Sequence, residues 1–400
     1  MAGIVVVGAG QAGASLVARL RSRGYEGEIT LIGAETVPPY QRPPLTKGYL
    51  TGELPLERLF LRPESWYADQ RITLRLGQMV TGIDPVARQL RLGDEVIGYD
   101  QLALTTGSTP RRLPESMGGT LGGVYVARDL ADAQAMAPEF VAGRRVLVVG
   151  GGYIGLEAAA VAARKGLHVT VIEMAPRILQ RVAAADTSDY FRALHRSHGV
   201  TLMESTGLSQ LEGRDRVRRA HLTTGEVLEV DFVIAGVGIA PNVALAEAAG
   251  LTLDNGIATD AQGRSSDPSI WAAGDCASFP MGPHRMRLES VQNAIDQAEL
   301  VADNMLDDGR AYTPVPWFWS DQYDVKLQIA GLGLGHDRTL RREGDGTLSI
   351  WYYAGERFLA VDAMNDPRAF MVGKRLLEGG RNADPALIAD PAFDLKGLLR

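Results

Sequence analysis

The sequence predicts an α/β protein with two parallel-sheet units and a small α+β region at its C-terminal end. Three observations predict it. A strand, a glycine turn, a helix and a second strand ending in an acid succeed one another in Gly3–Glu35, GIVVVGAGQAGASLVARLRSRGYEGEITLIGAE. The same order recurs in Val146–Glu173, VLVVGGGYIGLEAAAVAARKGLHVTVIE. From Ala311 onward the composition shifts, with Tyr312, Trp317, Phe318, Trp319, Tyr323, Trp351, Tyr352, Tyr353, Phe358 and Phe370 set in alternating runs that read as an antiparallel sheet, followed by a helix near Pro367–Glu378.

The glycine triplets define the chemistry. In each unit the first glycine (Gly8, Gly150) permits the tight turn and the second (Gly10, Gly152) lets a pyrophosphate approach the backbone. The third (Gly13, Gly155) lets helix and strand pack closely. The helix N-terminus then offers unpaired N–H groups and a positive dipole end to phosphate. Glu35 and Glu173 end the second strands, where a carboxylate accepts hydrogen bonds from a ribose diol. Two complete fingerprints imply two dinucleotides, one resident and one exchanging. That combination points to a flavoprotein that takes hydride from a nicotinamide, with two Rossmann-like domains. A degenerate, empty copy is the bland alternative, disfavoured by the intact glycines and acids.

Between these units the chain divides as follows. Residues 36–65 are irregular, and Pro38, Pro39, Pro43 and Pro44 are expected to fix an extended path suited to a wall of the binding site. Short strands are expected in Ile72–Leu92 and at Leu102–Thr106, which ends at Gly107. A helix is expected over Ala127–Phe140. Residues 200–233 read as a β-meander closing on Asp231–Ala235, followed by the loop Gly236–Asn242 and the strand Ser269–Asp275 with its terminal acid. Leu288–Leu306 reads as a long helix. The second unit is read as an insertion in the first, so that Asp231–Ala235 and Ser269–Ala273 rejoin the first sheet. The resulting division is a first dinucleotide domain over 1–108 and 234–314, a second over 109–233, and a C-terminal domain over 315–400.

Composition excludes several classes. Forty-one basic against 48 acidic residues give a net charge of −7, without a basic block, which disfavours nucleic-acid binding. The single cysteine, Cys276, admits no disulfide, CxxC pair or thiolate cage within the chain and reads as a buried small residue. No apolar run of about twenty residues is present, and the chain enters a strand at once without a leader pattern. A soluble cytoplasmic protein is expected. His195 and His198, spaced HxxH, lack a third ligand and read as a solvated helix face, so no metal is expected.

The pieces VVVGAGQAG, PPYQRPPLTK, LALTTGS, VVGGGYIGLE, GVGIAPN, AAGDCA, LESVQNA and PWFWSDQYDVKLQIAG, which span the chain, resemble the two-dinucleotide flavoprotein reductases of the glutathione reductase fold. Within these they are most similar to the ferredoxin reductases of bacterial oxygenase systems. The resemblance implies that the first fingerprint holds FAD: Gly8, Gly10 and Gly13 at its pyrophosphate, Glu35 at its ribose, and Val80 at adenine. It also implies Gly107, Arg42 and Arg128 among the FAD contacts, Asp275 at the ribityl hydroxyls, and Glu289 with Val291 at a helix start aimed at the flavin pyrimidine edge. The second fingerprint would hold NADH at Gly150, Gly152, Gly155 and Glu173, with Ile154 and Gly238 beside the nicotinamide. Glu173 would repel a 2′-phosphate, although Arg177 and Arg181 lie near it in sequence. Lys47 and Glu157 are the implied catalytic pair, with Lys47 at the flavin edge and Glu157 holding it. Trp317 and Trp319 would line the nicotinamide pocket or the electron exit, or fill the core of the small domain.

The implied acceptor is a 2Fe-2S ferredoxin feeding a cytochrome P-450 or a ring-hydroxylating dioxygenase. Arg310, Arg341, Arg342, Lys374 and Arg375 are candidates for a basic docking rim. Val291 stands where some dioxygenase reductases carry Trp, which leans towards a P-450 partner. Disulfide reductases of this fold carry a cysteine pair after the first unit; here RPPLTK stands in that place. The remaining alternatives are a rubredoxin reductase or NADH oxidase, and a flavin-containing interaction protein like apoptosis-inducing factor.

Overall fold

The computed structural model describes residues 3–399. The chain forms two compact units. One comprises Met1–Gln41, Pro55–Thr109 and Ile239–Pro314; the other comprises Arg42–Leu54, Pro110–Gly238 and Val315–Arg400.

The first unit is built on a five-stranded parallel sheet. Ile4–Val7 lies between Ile29–Ile32 and Gln101–Leu104, with Ile72–Arg75 and Ile270–Ala272 at the edges. The period of two divides the side chains between two cores. Ile4, Val6, Ile29 and Leu31 face Leu16, Leu20, Ala298 and Val301 of the helices Gln11–Ser22 and Val291–Asn304. Val5, Val7, Leu102 and Leu104 pack on the opposite side with Val80, Leu90 and Cys276. Burial on both faces is why these strands read as continuous apolar runs.

The second unit contains another parallel five-stranded sheet, in the order Thr201–Glu204, His168–Glu173, Arg145–Val149, Phe232–Ala235 and Val124–Tyr125. Asp231–Ala235 therefore does not rejoin the first sheet. FVIA is buried along its whole length and pairs with Arg145–Val149 from Val146↔Phe232 to Val149↔Ala235. A strand on the far side of the fingerprint strand completes the doubly wound arrangement, and local sequence does not reveal that partner. Ile270–Ala272 does join the first sheet. The meander is correspondingly shorter: only Leu208–Gly213, Val217–Leu222 and Val227–Glu229 are antiparallel neighbours, because Thr201–Glu204 runs parallel to the sheet.

The C-terminal part is an antiparallel sheet of five strands followed by the helix Pro367–Glu378. In Thr347–Ala354 and Arg357–Met364, Ile350, Tyr352 and Met364 belong to the core shared with the second parallel sheet. Trp351, Tyr353 and Val361 pack with Phe370 and Leu376 of the helix. The prolines do not hold residues 43–46 extended. Pro43 and Pro44 occupy the first positions of a 3₁₀ turn, Pro43–Thr46, where a missing N–H and a fixed φ are tolerated. The helix expected over Ala127–Phe140 is confined to Leu130–Met136, started by an Asp129 capping box, with a 3₁₀ turn Ala137–Glu139 after it.

Candidate functional site

The first fingerprint turn has the geometry of an anion cradle. Gly8 has φ +115°, and a Cβ there would meet the Thr105 carbonyl oxygen at 2.2 Å. The Thr105 hydroxyl donates to the Gly8 carbonyl at 2.8 Å and fixes the turn. Gly10 caps the helix Gln11–Ser22 without a side-chain hydrogen bond, and no acid lies in the first turn. A Cβ on Gly10 would meet nothing within 4 Å, whereas one on Gly13 would lie 2.0 Å from the Gly8 carbonyl oxygen. The turn is thus open in front of the helix N-terminus and closed beneath it, as phosphate against free N–H groups requires.

The second turn repeats the glycine geometry. Gly150 has φ +111°, Gly152 caps Tyr153–Arg164 with open space at its Cβ position, and a Cβ on Gly155 would lie 2.2 Å from the Gly150 carbonyl oxygen. Glu173 turns back onto this loop, accepting from Gly151 N–H at 2.7 Å and Ala175 N–H at 2.8 Å. Arg177 points away from it, donating to the Ala184 carbonyl and the Ser188 hydroxyl. Arg181 is exposed. Ile154 is 45% exposed at the helix start, and Gly238 has φ +99°. Both turns fit a dinucleotide pyrophosphate.

The remaining predicted residues divide between the units. In the first unit the Tyr40 hydroxyl donates to Glu35. Val80 is a core residue, Gly107 has φ +67° and its carbonyl accepts from Asn242 N–H. Asp275 accepts from the Ser108 hydroxyl at 2.7 Å. Glu289 is exposed and pairs with Arg287 at 2.6 Å. Ser290 caps the helix that Val291 begins, accepting from Asn293 N–H at 3.1 Å. Gln297 of that helix accepts from Gly274 N–H, beside Asp275 in sequence. Sequence reading missed Ser108 and Gln297, and no local pattern singles them out.

The second unit holds Arg42, Lys47, Arg128 and Trp319. Arg42 donates to the Arg128 carbonyl at 2.9 Å. Trp319 lies 5.7 Å, ring to ring, from Trp317, over which Lys374 places its ammonium at 5.5 Å. Lys47 Nζ stands 3.2 Å from Glu157 Oε1 and 3.2 Å from Asp321 Oδ2. Glu157 is 8% exposed, on the fingerprint helix, and Oε1 also accepts from Ser320 Oγ at 2.7 Å and Asp321 N–H at 3.3 Å. Burial pushes its carboxyl above the ordinary range, opposed first by the Lys47 charge and then by these donors. This is not a surface ion pair: the carboxylate is buried and multiply bonded. Asp321 and Ser320, unassigned from sequence beyond their segment, complete it.

Two sequence readings change. His195 is not on a solvated face; it is fully buried, Nε2 lies 2.8 Å from Gln322 Oε1, and burial holds its pKa down at about 4. His198 is exposed and stacks on Tyr323 at 3.7 Å. The proposed basic rim is largely neutralised: Arg310 pairs with Asp303 and Asp308, Arg341 with Glu343 and Lys374 with Glu378, while Arg342 donates to four backbone carbonyls. Cys276 is buried. Among the described residues no cluster of three or more His, Cys, Asp or Glu could hold a metal, and no helix is long and apolar enough to cross a membrane.

Known proteins share this arrangement. Residues 2–298 match the family described as pyridine nucleotide-disulphide oxidoreductase, and residues 317–399 match a reductase C-terminal family. Rhodocoxin reductase of Rhodococcus erythropolis is 42% identical over 98% of this chain and 93% of its own length. A ferredoxin–NAD(P)(+) reductase of a Sphingomonas species is 42% identical over 99% of this chain and 97% of its own length. A crystal structure of the covalent putidaredoxin reductase–putidaredoxin complex superposes with a TM-score of 0.96 at 39% identity, covering 100% of this chain and 98% of that one. The chain therefore belongs to the pyridine nucleotide-disulphide oxidoreductase family, in its ferredoxin-reductase branch, a family that binds FAD and NAD(P)H.

Proposed function

We propose that the protein is an FAD-containing reductase that takes electrons from NADH and passes them to a 2Fe-2S ferredoxin, which feeds a cytochrome P-450 or a ring-hydroxylating dioxygenase. The observation that carries the reading is the duplicate cradle: each unit has a positive-φ glycine, an open cap glycine and a closed third glycine at the head of one helix. When bound, FAD supplies the conversion of one hydride into two one-electron transfers, which a 2Fe-2S centre needs.

The functional partition follows the fingerprints. Residues 1–108 and 239–314 bind FAD, 109–238 bind NADH, and 315–400 form the C-terminal domain; the boundary expected at 234 moves to 239 because Phe232–Ala235 pairs in the second sheet and the second unit runs to Gly238. Gly8, Gly10, Gly13, Glu35, Val80, Gly107, Asp275, Glu289 and Val291 serve the flavin cofactor, joined by Arg42 and Arg128, and Trp319 lines the nicotinamide pocket. Lys47 hydrogen-bonds the flavin edge, and Glu157 holds Lys47. Gly150, Gly152, Ile154, Gly155, Glu173 and Gly238 serve the nicotinamide cofactor. Glu173 selects NADH, since its carboxylate beside the turn would repel a 2′-phosphate and Arg177 is engaged elsewhere. The site of action is the cytoplasm.

The test is cytochrome c reduction by the purified holoenzyme with a panel of 2Fe-2S ferredoxins and with NADH or NADPH. Rapid reduction that requires both NADH and an added ferredoxin is expected. Equal rates without ferredoxin would refute the acceptor, and equal kcat/KM for both nucleotides would refute the NADH preference.

A further inference from the structure

Glu157 is the end of a buried chain of hydrogen bonds that begins at Tyr323. The Tyr323 hydroxyl lies 3.2 Å from His195 Nδ1, and His195 Nε2 lies 2.8 Å from Gln322 Oε1. Gln322 Nε2 lies 3.2 Å from Ser320 Oγ, and Ser320 Oγ lies 2.7 Å from Glu157 Oε1. His195, Gln322 and Ser320 are each 0% exposed, so no solvent can substitute for a missing partner. Ser320 and Gln322 alternate on one face of the strand Trp317–Gln322, while Asp321, on the other, reaches Lys47.

The direction of this chain is forced from the carboxylate outward. An ionised Glu157 has no proton to give, so the single proton of the Ser320 hydroxyl must point at it. The Ser320 oxygen must then accept, so Gln322 presents its N–H₂ to it and its carbonyl to His195. His195 must therefore carry its proton on Nε2, which leaves Nδ1 to accept from the Tyr323 hydroxyl. Every donor points towards Glu157. A protonated Glu157 can donate to Ser320, and the whole chain can then reverse, with Gln322 turned over and the His195 proton on Nδ1. A fully satisfied chain has these two orientations; a mixed one leaves two donors or two acceptors facing each other in a buried site.

We propose that Ser320, Gln322 and His195 are positioning residues whose aligned hydrogen bonds keep Glu157 ionised, and that the His195 tautomer is tied to the protonation of Glu157. Around that carboxylate stand the ammonium of Lys47 and, on the far side of Lys47, the carboxylate of Asp321; His198 flanks His195 through Tyr323. Burial raises the Glu157 carboxyl and keeps His195 neutral down to about pH 4, so above that pH the imidazole carries a single ring proton. The proposal rests on the preceding reading of Lys47 and Glu157 only for its consequence in catalysis.

The test uses the holoenzyme without nucleotide or ferredoxin. The protonated carboxyl stretch of Glu157 is titrated by infrared difference against Glu157→Gln, and the His195 tautomer is read by ¹⁵N resonance in histidine-labelled protein. The wild type should carry the Nε2–H tautomer at pH 7. Ser320→Ala should raise the midpoint of the Glu157 titration by about one unit, a tenfold change in proton affinity, and Ser320→Thr should restore it. Gln322→Leu should raise it too and release His195 into a mixture of tautomers; retained flavin absorbance and melting temperature check the fold. An unmoved carboxyl titration in Ser320→Ala, or the Nδ1–H tautomer in the wild type, overturns the proposal. A shifted titration that leaves unmoved the pH profile of flavin reduction, followed separately with NADH added, overturns instead the role given to Glu157 in the reaction.

Discussion

Removing Lys47 should destabilise the protein in a manner that depends on pH. Breaking a buried ion pair from one side costs about 3–5 kcal/mol because a charge is left without its partner. Here the Lys47 side chain is 21% exposed, and Glu157 keeps the Ser320 hydroxyl and the Asp321 N–H, so about 2 kcal/mol is expected at pH 8. The sign follows from linkage. A carboxyl whose pKa is higher in the folded than in the unfolded chain favours folding when protonated. Its contribution is full below the unfolded value and is lost as pH rises through the folded one. Lys47→Ala removes the first of the effects that hold the Glu157 pKa down, so the loss widens with pH. Chemical denaturation at saturating FAD, from pH 5 to pH 8, should show Lys47→Ala close to wild type in acid and about 2 kcal/mol weaker at pH 8. Lys47→Ala/Glu157→Gln should recover most of that difference, since an amide leaves no buried charge. A double variant as unstable as the single one, or a deficit independent of pH, would refute the account. In stopped flow both variants should retain FAD and reduce it slowly with NADH; an unchanged rate removes Lys47 from the mechanism.

Three further outcomes are expected. Gly10→Ala should fold normally but purify without flavin absorbance, because its methyl group enters the open side of the turn, whereas Gly13→Ala should lose more than about 2 kcal/mol of stability through a clash with the Gly8 carbonyl. Glu173→Ser should move the NADPH-to-NADH ratio of kcat/KM by about tenfold towards NADPH, about 1.4 kcal/mol, and also raise KM for NADH, since Glu173 holds the N–H groups of Gly151 and Ala175. Asp362 is buried, accepts from Thr187 and Tyr352, and has a pKa raised to about 6 by burial, so its contribution to stability falls as pH rises from about 4 to about 6. Asp362→Asn should flatten that dependence and gain about 1–2 kcal/mol at pH 7, less than the full shift because the new amide N–H₂ lacks an acceptor.

The parts of this protein legible in its sequence are those written in local spacing. The glycine triplets, the apolar strands before them and the alternation after Ala311 each report a turn, a sheet or a period, and the structure has them at those residues. What failed depends on partners far along the chain. FVIA at Phe232–Ala235 announces a buried parallel strand but not its neighbour, which is the strand opened by Arg145. His195 sits in a polar helical context, and its burial follows from Gln322, 127 positions away. Arg342 reads as a surface cation until the carbonyls of Ile388, Asp390, Pro391 and Phe393 fold over it.

One local signal of this site is written in the sequence. In the strand Trp317–Gln322 the inward positions are Phe318, Ser320 and Gln322, so two of three inward side chains are polar. Burying an unpaired hydroxyl or amide costs about 1–3 kcal/mol on the scale of protein mutations. A strand keeps such residues only where partners exist. Here the Ser320 hydroxyl has both Glu157 and Gln322, and the Gln322 amide has both Ser320 and His195. Apolar replacements would fill the same space without needing any of these bonds, but would leave Glu157 with only Lys47 and one backbone N–H. A break in the inward pattern of a strand therefore locates the side chains that a buried carboxylate depends on, and it does so before any cofactor is considered.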